Sequence, residues 1–206
     1  MNAIVTQALT NSYTYEGYRN LVTELLNQGK VTGATQSEDL VHYTQLNEKR
    51  MHRLEKTIAI SETTQSALTG LQNKYLWLVI AEGWCGDAAQ LLPIIYKMAI
   101  VNPDKIDLQL VLRDDNLELM DQYLTNGGRA IPKLLIINKE TGEVEDHWGP
   151  RPAGAVKLIQ DYKATHGIVD ETAKTELQLW YLHDKGLSTQ NEIVEIMTKI
   201  EQQVLV

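Results

Sequence analysis

The stretch Glu82-Gly-Trp-Cys-Gly-Asp-Ala-Ala-Gln-Leu-Leu-Pro93 holds the only cysteine of the chain, placed where an apolar strand gives way to a helix. On its N-terminal side, Tyr75-Leu-Trp-Leu-Val-Ile80 is a short, nearly continuous apolar run, the pattern of a strand buried on both faces. On its C-terminal side, Ala88, Leu91, Leu92, Ile95, Met98 and Ala99 recur at helical spacing, with Pro93 inside the pattern. A thiol at such a junction lies near the first helical turn, where unpaired backbone N–H groups and the helix dipole stabilise a thiolate. The position is therefore the address of a reactive cysteine.

Working outward, the helix after Cys85 spans Asp87 to Ile100 and stops around Asn102-Pro103. Ile106, Leu108, Leu110 and Leu112 then alternate as a strand. Asn116 to Leu124 predicts a helix ended at Asn126-Gly127-Gly128. Leu134 to Ile137 reads as a buried strand, Asn138-Lys-Glu-Thr-Gly142 as a hairpin turn, Glu143 to Trp148 as an edge strand, and Pro152 to Tyr162 as a closing helix.

Trp84-Cys85-Gly86-Asp87-Ala88 followed by Pro93 resembles the active site of the thioredoxin family, in which a Trp-Cys-Gly-x-Cys motif opens a helix that carries a proline eight residues after the first cysteine. Gly128-Arg-Ala-Ile-Pro-Lys-Leu-Leu-Ile-Ile137 is similar to the family's cis-proline loop, and the resemblance implies a cis Ile131-Pro132 bond facing the thiol. It covers roughly residues 71–166 and implies an α/β, thioredoxin-like fold, a central mixed sheet flanked by helices. Two departures stand out. Ala88 occupies the place of the resolving cysteine, and Val79 the place where many thioredoxins bury an aspartate. With no second thiol, a dithiol cycle cannot run inside this chain.

The flanks read as helices. Tyr15, Tyr18, Leu21, Val22, Leu25 and Leu26 mark an amphipathic helix from Ser12 to Asn27. Thr35-Gln-Ser-Glu38 has capping-box spacing before a second helix on Leu40, Val41, Tyr43, Leu46, Met51, Leu54 and Ile58 that runs to about Ala59. Ser61 to Leu68 is a short capped helix. Beyond Gly167, one helix is expected over Thr172–His183 around Leu177, Leu179, Trp180 and Leu182. Another is expected over Thr189–Val204, with Thr189-x-x-Glu192 as its capping box. No linker-like segment separates these parts. The expected organisation is an N-terminal helical extension over 1–70 packed on the core, a thioredoxin-like domain over 71–166, and a C-terminal helical extension over 167–206.

The composition is that of a soluble globular chain, with 43% hydrophobic and 22% charged residues. A net charge of −8 and the lack of a basic stripe exclude a protein built to bind phosphate backbones, so no nucleic acid is expected. One cysteine cannot form an intramolecular disulfide, which fits a reducing compartment. No basic n-region opens the N-terminus and no run approaches ~18 apolar residues, so no membrane partner and a cytoplasmic location are expected. His42 and His52 fall on faces roughly 80 degrees apart on their helix and lack metal-ligand spacing. Neither a metal nor a cofactor is expected. Asp114-Asp115 is read as helix N-capping.

Cys85 is the candidate catalytic residue, a thiolate that attacks a disulfide. Trp84, Gly86, Asp87, Ile131 and Pro132 are the candidate substrate-binding residues, the backbone before Pro132 being free by resemblance to pair with an extended segment. Asp87 and Glu82 place negative charge near the thiol against the helix start, so the sequence leaves the net direction open, and Arg129 either offsets that charge, if its loop faces the thiol, or is a solvated loop residue. The expected activity is thiol-disulfide exchange with protein or small-molecule thiols and disulfides, each mixed disulfide being resolved by an external thiol. The alternative is a redox-inactive thioredoxin-fold module that binds a protein in the groove around Trp84 and Pro132. A transferase acting on a glutathione-like thiol is a third reading, for which the sequence identifies no dedicated pocket. The apolar stripes of the helical extensions leave room for a homo-oligomer.

Overall fold

The structure is a computed structural model that describes residues 2–204, the side chain of Val204 excepted. Residues 1, 205 and 206 of the two expected extensions lie outside the described residues. The sheet has four strands, β1 (Tyr75–Ala81), β2 (Ile106–Leu112), β3 (Lys133–Asn138) and β4 (Val144–Trp148), in the order β2-β1-β3-β4. β1 pairs parallel with β2 and antiparallel with β3, and β3 pairs antiparallel with β4. Every residue of β1 and β3 is buried, so both faces at the centre of the sheet are covered, as their unbroken apolar runs require.

Among the described residues the helices are α1 (Ala3–Leu9), α2 (Tyr15–Asn27), α3 (Glu38–Thr57), α4 (Glu62–Thr69), α5 (Gly86–Ala99), α6 (Leu117–Met120), α7 (Ala153–His166), α8 (Glu171–Asp184) and α9 (Leu187–Val204). α1 and α2 contact β2, α3 and α4 contact α5, α9 contacts α4, α5 and β4, and α7 contacts α8. One continuous apolar core runs from Val5 and Tyr18 through β1, α5 and β3 to Tyr181 and Ile200.

Several local expectations are corrected. α2 begins at Tyr15, not Ser12, because Thr14 caps it through the Gly17 N–H while Tyr13 exchanges two 2.8 Å backbone hydrogen bonds with Leu110 at the sheet edge. α1, absent from the sequence reading, precedes it. The cap of α3 is Ser37, whose Oγ accepts from the Leu40 N–H at 3.1 Å, so Thr35 and Glu38 form no capping box. α6 is a single turn rather than a helix to Leu124. The chain must reverse so that Thr125 pairs with Gly128, through Asn126 and Gly127 at positive φ.

Neither acidic residue of the Asp114-Asp115 pair caps α6. Asp114 accepts from Arg113, and Asn116, at the cap position, donates its amide to the Leu112 carbonyl. Thr189 lies inside α9 rather than at its start, and its buried hydroxyl has no partner among the described residues. Glu192 instead accepts from Trp148 Nε1 at 2.7 Å and from the Ala153 N–H at 2.8 Å, tying α9 to β4 and α7. In α8 the buried stripe is Ala173, Leu177 and Tyr181, at strict i, i+4 spacing, while Leu179 and Leu182 face solvent.

Candidate functional site

Cys85 is the residue that caps α5. Its Sγ accepts from the Ala88 N–H at 3.4 Å, taking one of the N–H groups a helix start leaves unpaired. Across the gap, Cys85 Sγ donates to the Ile131 carbonyl oxygen at 3.3 Å, and the Ile131-Pro132 peptide is cis. β1 delivers the cysteine and the turn into β3 delivers the proline. These strands are hydrogen-bonded neighbours, which is why segments 46 residues apart meet. Gly149-Pro150 is also cis.

Of the residues singled out from sequence, Trp84, Cys85, Gly86, Asp87, Ile131 and Pro132 all converge on this point. Cys85 is 9% exposed, and Ile131 is 6% exposed. Burial, then the charge of Asp87, push the Cys85 thiol up to about 12, against opposing pulls from the Ala88 and Asp87 N–H groups and from Arg151. The expectation that the helix start would favour the thiolate is thus overridden by desolvation.

The cation beside the thiol is Arg151, which the sequence reading passed over. Arg151 donates to Asp87 Oδ2 through Nε at 2.8 Å and forms an ion pair with it, Nη2 lying 2.7 Å from Oδ2, and Tyr181 donates its hydroxyl to Asp87 Oδ1 at 2.9 Å. For Arg151, burial works against the charge, but the hydrogen bond and charge of Asp87 outweigh it and hold the guanidinium firmly protonated. Arg129 has no such part, since it is exposed and paired with Asp121 at 2.6 Å. Arg151 follows Gly149-Pro150 and Tyr181 lies on α8, so no spacing within the motif pointed to either.

Glu82 acts less on the thiol than Asp87 does. It is fully buried, its Oε1 accepts from the Asp114 N–H at 2.9 Å, and burial moves its carboxyl above the ordinary range. Gly33, at φ 80°, lets the 31–34 segment pass over this carboxyl, because a Cβ there would collide with the Asp114 carboxylate. Trp84 is held by Arg113, whose guanidinium carbon lies 4.8 Å from the ring centroid. No group of three or more His, Cys, Asp or Glu that could hold a metal ion occurs among the described residues. No helix among them is long and apolar enough to cross a membrane.

A mixed four-stranded sheet, a thiol capping the helix after its first strand and a cis-proline loop opposite that thiol together define a thioredoxin-fold protein. The family model described as thioredoxin matches residues 33–163, more than half of the chain, and the chain belongs to the thioredoxin family. The match reaches back to include α3 and α4. The chain is similar to the crystal structure of a protein of unknown function from Pseudomonas aeruginosa, at 15% identity and a TM-score of 0.57, with 91% of this chain and 98% of that one covered. It is similar also to the crystal structure of an HIV epitope-scaffold, at 18% identity and a TM-score of 0.55, with 86% and 97% covered. At those identities the likeness concerns the fold alone. A search of curated proteins found no match to the chain.

Proposed function

We propose that Cys85 is a single-thiol exchange centre, which attacks a disulfide, holds the resulting mixed disulfide and releases it to an external thiol. The observation that carries this reading is the position of Cys85 Sγ, capping α5 at 3.4 Å from the Ala88 N–H and lying 3.3 Å from the Ile131 carbonyl beside cis-Pro132. In that place the departing proton leaves a thiolate facing a helix N-terminus. The backbone before the proline is the one an extended disulfide-bearing segment would pair with.

Only the thiolate attacks, and a thiol pushed up to about 12 is almost wholly protonated at neutral pH. Exchange at this site is therefore slow and accelerates as pH rises. Clearance is slow as well, because Ala88 brings no second sulfur to attack the adduct at high effective concentration. Such a centre favours retention over turnover. The same burial favours a second reading, a redox-inactive module that uses the groove around Trp84 and Pro132 to bind a protein segment.

Incubating the folded protein with an oxidised small thiol between pH 7 and 9, followed by intact-mass measurement, separates the two. An adduct on Cys85 that grows faster with pH is the expected result. Labelling that occurs only after unfolding would set aside the exchange centre in favour of the binding module.

A further inference from the structure

The stripe that α3 presents in sequence is not wholly buried. Tyr43 and Leu46 are 42% and 41% exposed, although both belong to the apolar set of that helix. They wall a cleft of about 490 Å³ between α3 and α8, which opens against the start of α5 at Trp84, Gly86 and Asp87. That volume lies within the range of small-molecule sites, roughly 300–1,000 Å³, and the mix of apolar wall and few polar groups is the usual one.

The cleft also has a sign. Arg50, Arg151 and Lys174 line it together with Asp87 and Glu171, an excess of one positive charge in a chain whose net charge is −8. Both acids are already engaged: Asp87 by Arg151 and Tyr181, and Glu171 by Lys174 at 2.6 Å. Arg50 donates through Nη1 to the side-chain oxygen of Asn47 at 2.5 Å and has no carboxylate within ion-pair distance among the described residues. A Cβ built on Gly86 would lie 3.9 Å from Arg50 Nη1, so this guanidinium stands directly across from the residue next to Cys85. A half-buried arginine with donors to spare, facing a small apolar-walled cleft, suits a carboxylate.

We propose that this cleft holds the non-reacting, carboxylate-bearing half of a small disulfide whose sulfur exchanges with Cys85, the carboxylate meeting Arg50 and the carbon chain lying against Tyr43 and Leu46. The proposal rests on the reading of Cys85 as an exchange centre. In the step, Cys85 thiolate attacks one sulfur of R–S–S–R. The S–S bond of the substrate breaks, a Cys85–S–S–R bond forms, the sulfur of Cys85 is oxidised, and the leaving sulfur is reduced to R–SH by the electron pair of the broken bond and the proton that Cys85 gave up.

The test measures adduct formation by intact mass with two probes, 3,3′-dithiodipropionate, which carries carboxylates, and bis(2-hydroxyethyl) disulfide, which is uncharged. The quantity read is the ratio of the two rates, carboxylate probe over uncharged probe. Arg50→Gln is expected to lower that ratio about tenfold, the scale of a lost charge-assisted hydrogen bond. Arg50→Lys, which keeps the charge but not the two-pronged geometry, should lower it about threefold and serves if the glutamine variant does not fold. Lys49→Gln removes an exposed charge from the same helix outside the cleft and should change the ratio less than about twofold, because exposed charges are screened. An unchanged ratio in the Arg50 variants, or an equal fall in Lys49→Gln, overturns the cleft assignment and leaves the exchange reading standing. Absence of any adduct from either probe on the folded protein overturns both.

Discussion

Asp87→Asn isolates the electrostatics of Cys85. Asp87 is the largest charge effect holding the thiol up, second only to burial, and it also occupies Arg151, the cation that pulls the other way. The amide keeps an oxygen for the Tyr181 hydroxyl, but it removes the anion and leaves Arg151 free to face the sulfur. A single nearby charge moves a pKa by about 1 to 3 units, and burial is untouched, so the thiol should fall from about 12 by about 1 to 2 units and stay above the ordinary cysteine value. Each unit raises the thiolate fraction about tenfold at pH 8, while the weaker basicity returns roughly half of that gain in logarithmic terms. The net expectation is alkylation about three- to tenfold faster. The assay is the rate of iodoacetamide labelling of Cys85 in the folded variant between pH 7 and 11, with Arg151→Met as the partner experiment, expected to slow labelling. If Asp87→Asn left the rate profile where it was, or moved it to higher pH, while melting cooperatively, the assignment of Asp87 as the controlling charge would be wrong.

Three other outcomes are expected. The folded state holds the Cys85 proton more tightly than the unfolded chain, so the stability contributed by the protonated thiol is complete below about pH 8.5 and is lost as pH rises towards 12. Denaturant titrations should therefore show wild type losing up to about 1.4 kcal/mol per pH unit above pH 9 relative to Cys85→Ser. Glu201 accepts from the Gln72 and Asn73 N–H groups and the Tyr75 hydroxyl, and although burial alone would raise its carboxyl, these donors hold it below the ordinary range. Its contribution is present above the unfolded carboxyl pKa and lost as pH falls through the folded one, so Glu201→Gln should cost about 1 kcal/mol at pH 7, solvent screening having reduced the effect of a largely exposed carboxylate, and less as pH falls through that range, read by chemical denaturation. In an insulin-reduction assay driven by a thioredoxin-reductase-type donor, turnover should be negligible, and installing a second thiol with Ala88→Cys should raise it, because adduct clearance then becomes intramolecular.

The helical capping devices separate what sequence can and cannot say. Ser61 caps α4 where it was read, because a serine before a polar-apolar helical run leaves a single local choice. Thr35 and Thr189, each followed three residues on by a glutamate, match the capping box and cap nothing. Ser37 wins the first position. The second residue is buried inside a helix that begins at Leu187, with its supposed partner Glu192 drawn away to Trp148 and Ala153. Local propensity permits a cap, and tertiary partners choose among the permitted ones.

The order of strands and helices from Tyr75 to His166 was legible from the chain alone, because apolar periodicity and the proline and glycine positions are local properties, whereas the meeting of Cys85 with Ile131 and Pro132 was expected only through the resemblance to the thioredoxin family. The state of the thiol was not legible. Its burial, the pairing of Asp87 with Arg151 and Tyr181, and the cleft that Arg50 shares with Tyr43 join residues from three separate helices and a loop. Charge and desolvation act through space, so their balance is settled only once α3, α5 and α8 are packed together. The sequence set a helix start that favours a thiolate against an Asp87 that opposes it, and the tertiary structure, by removing water from the sulfur, tipped that balance towards the thiol.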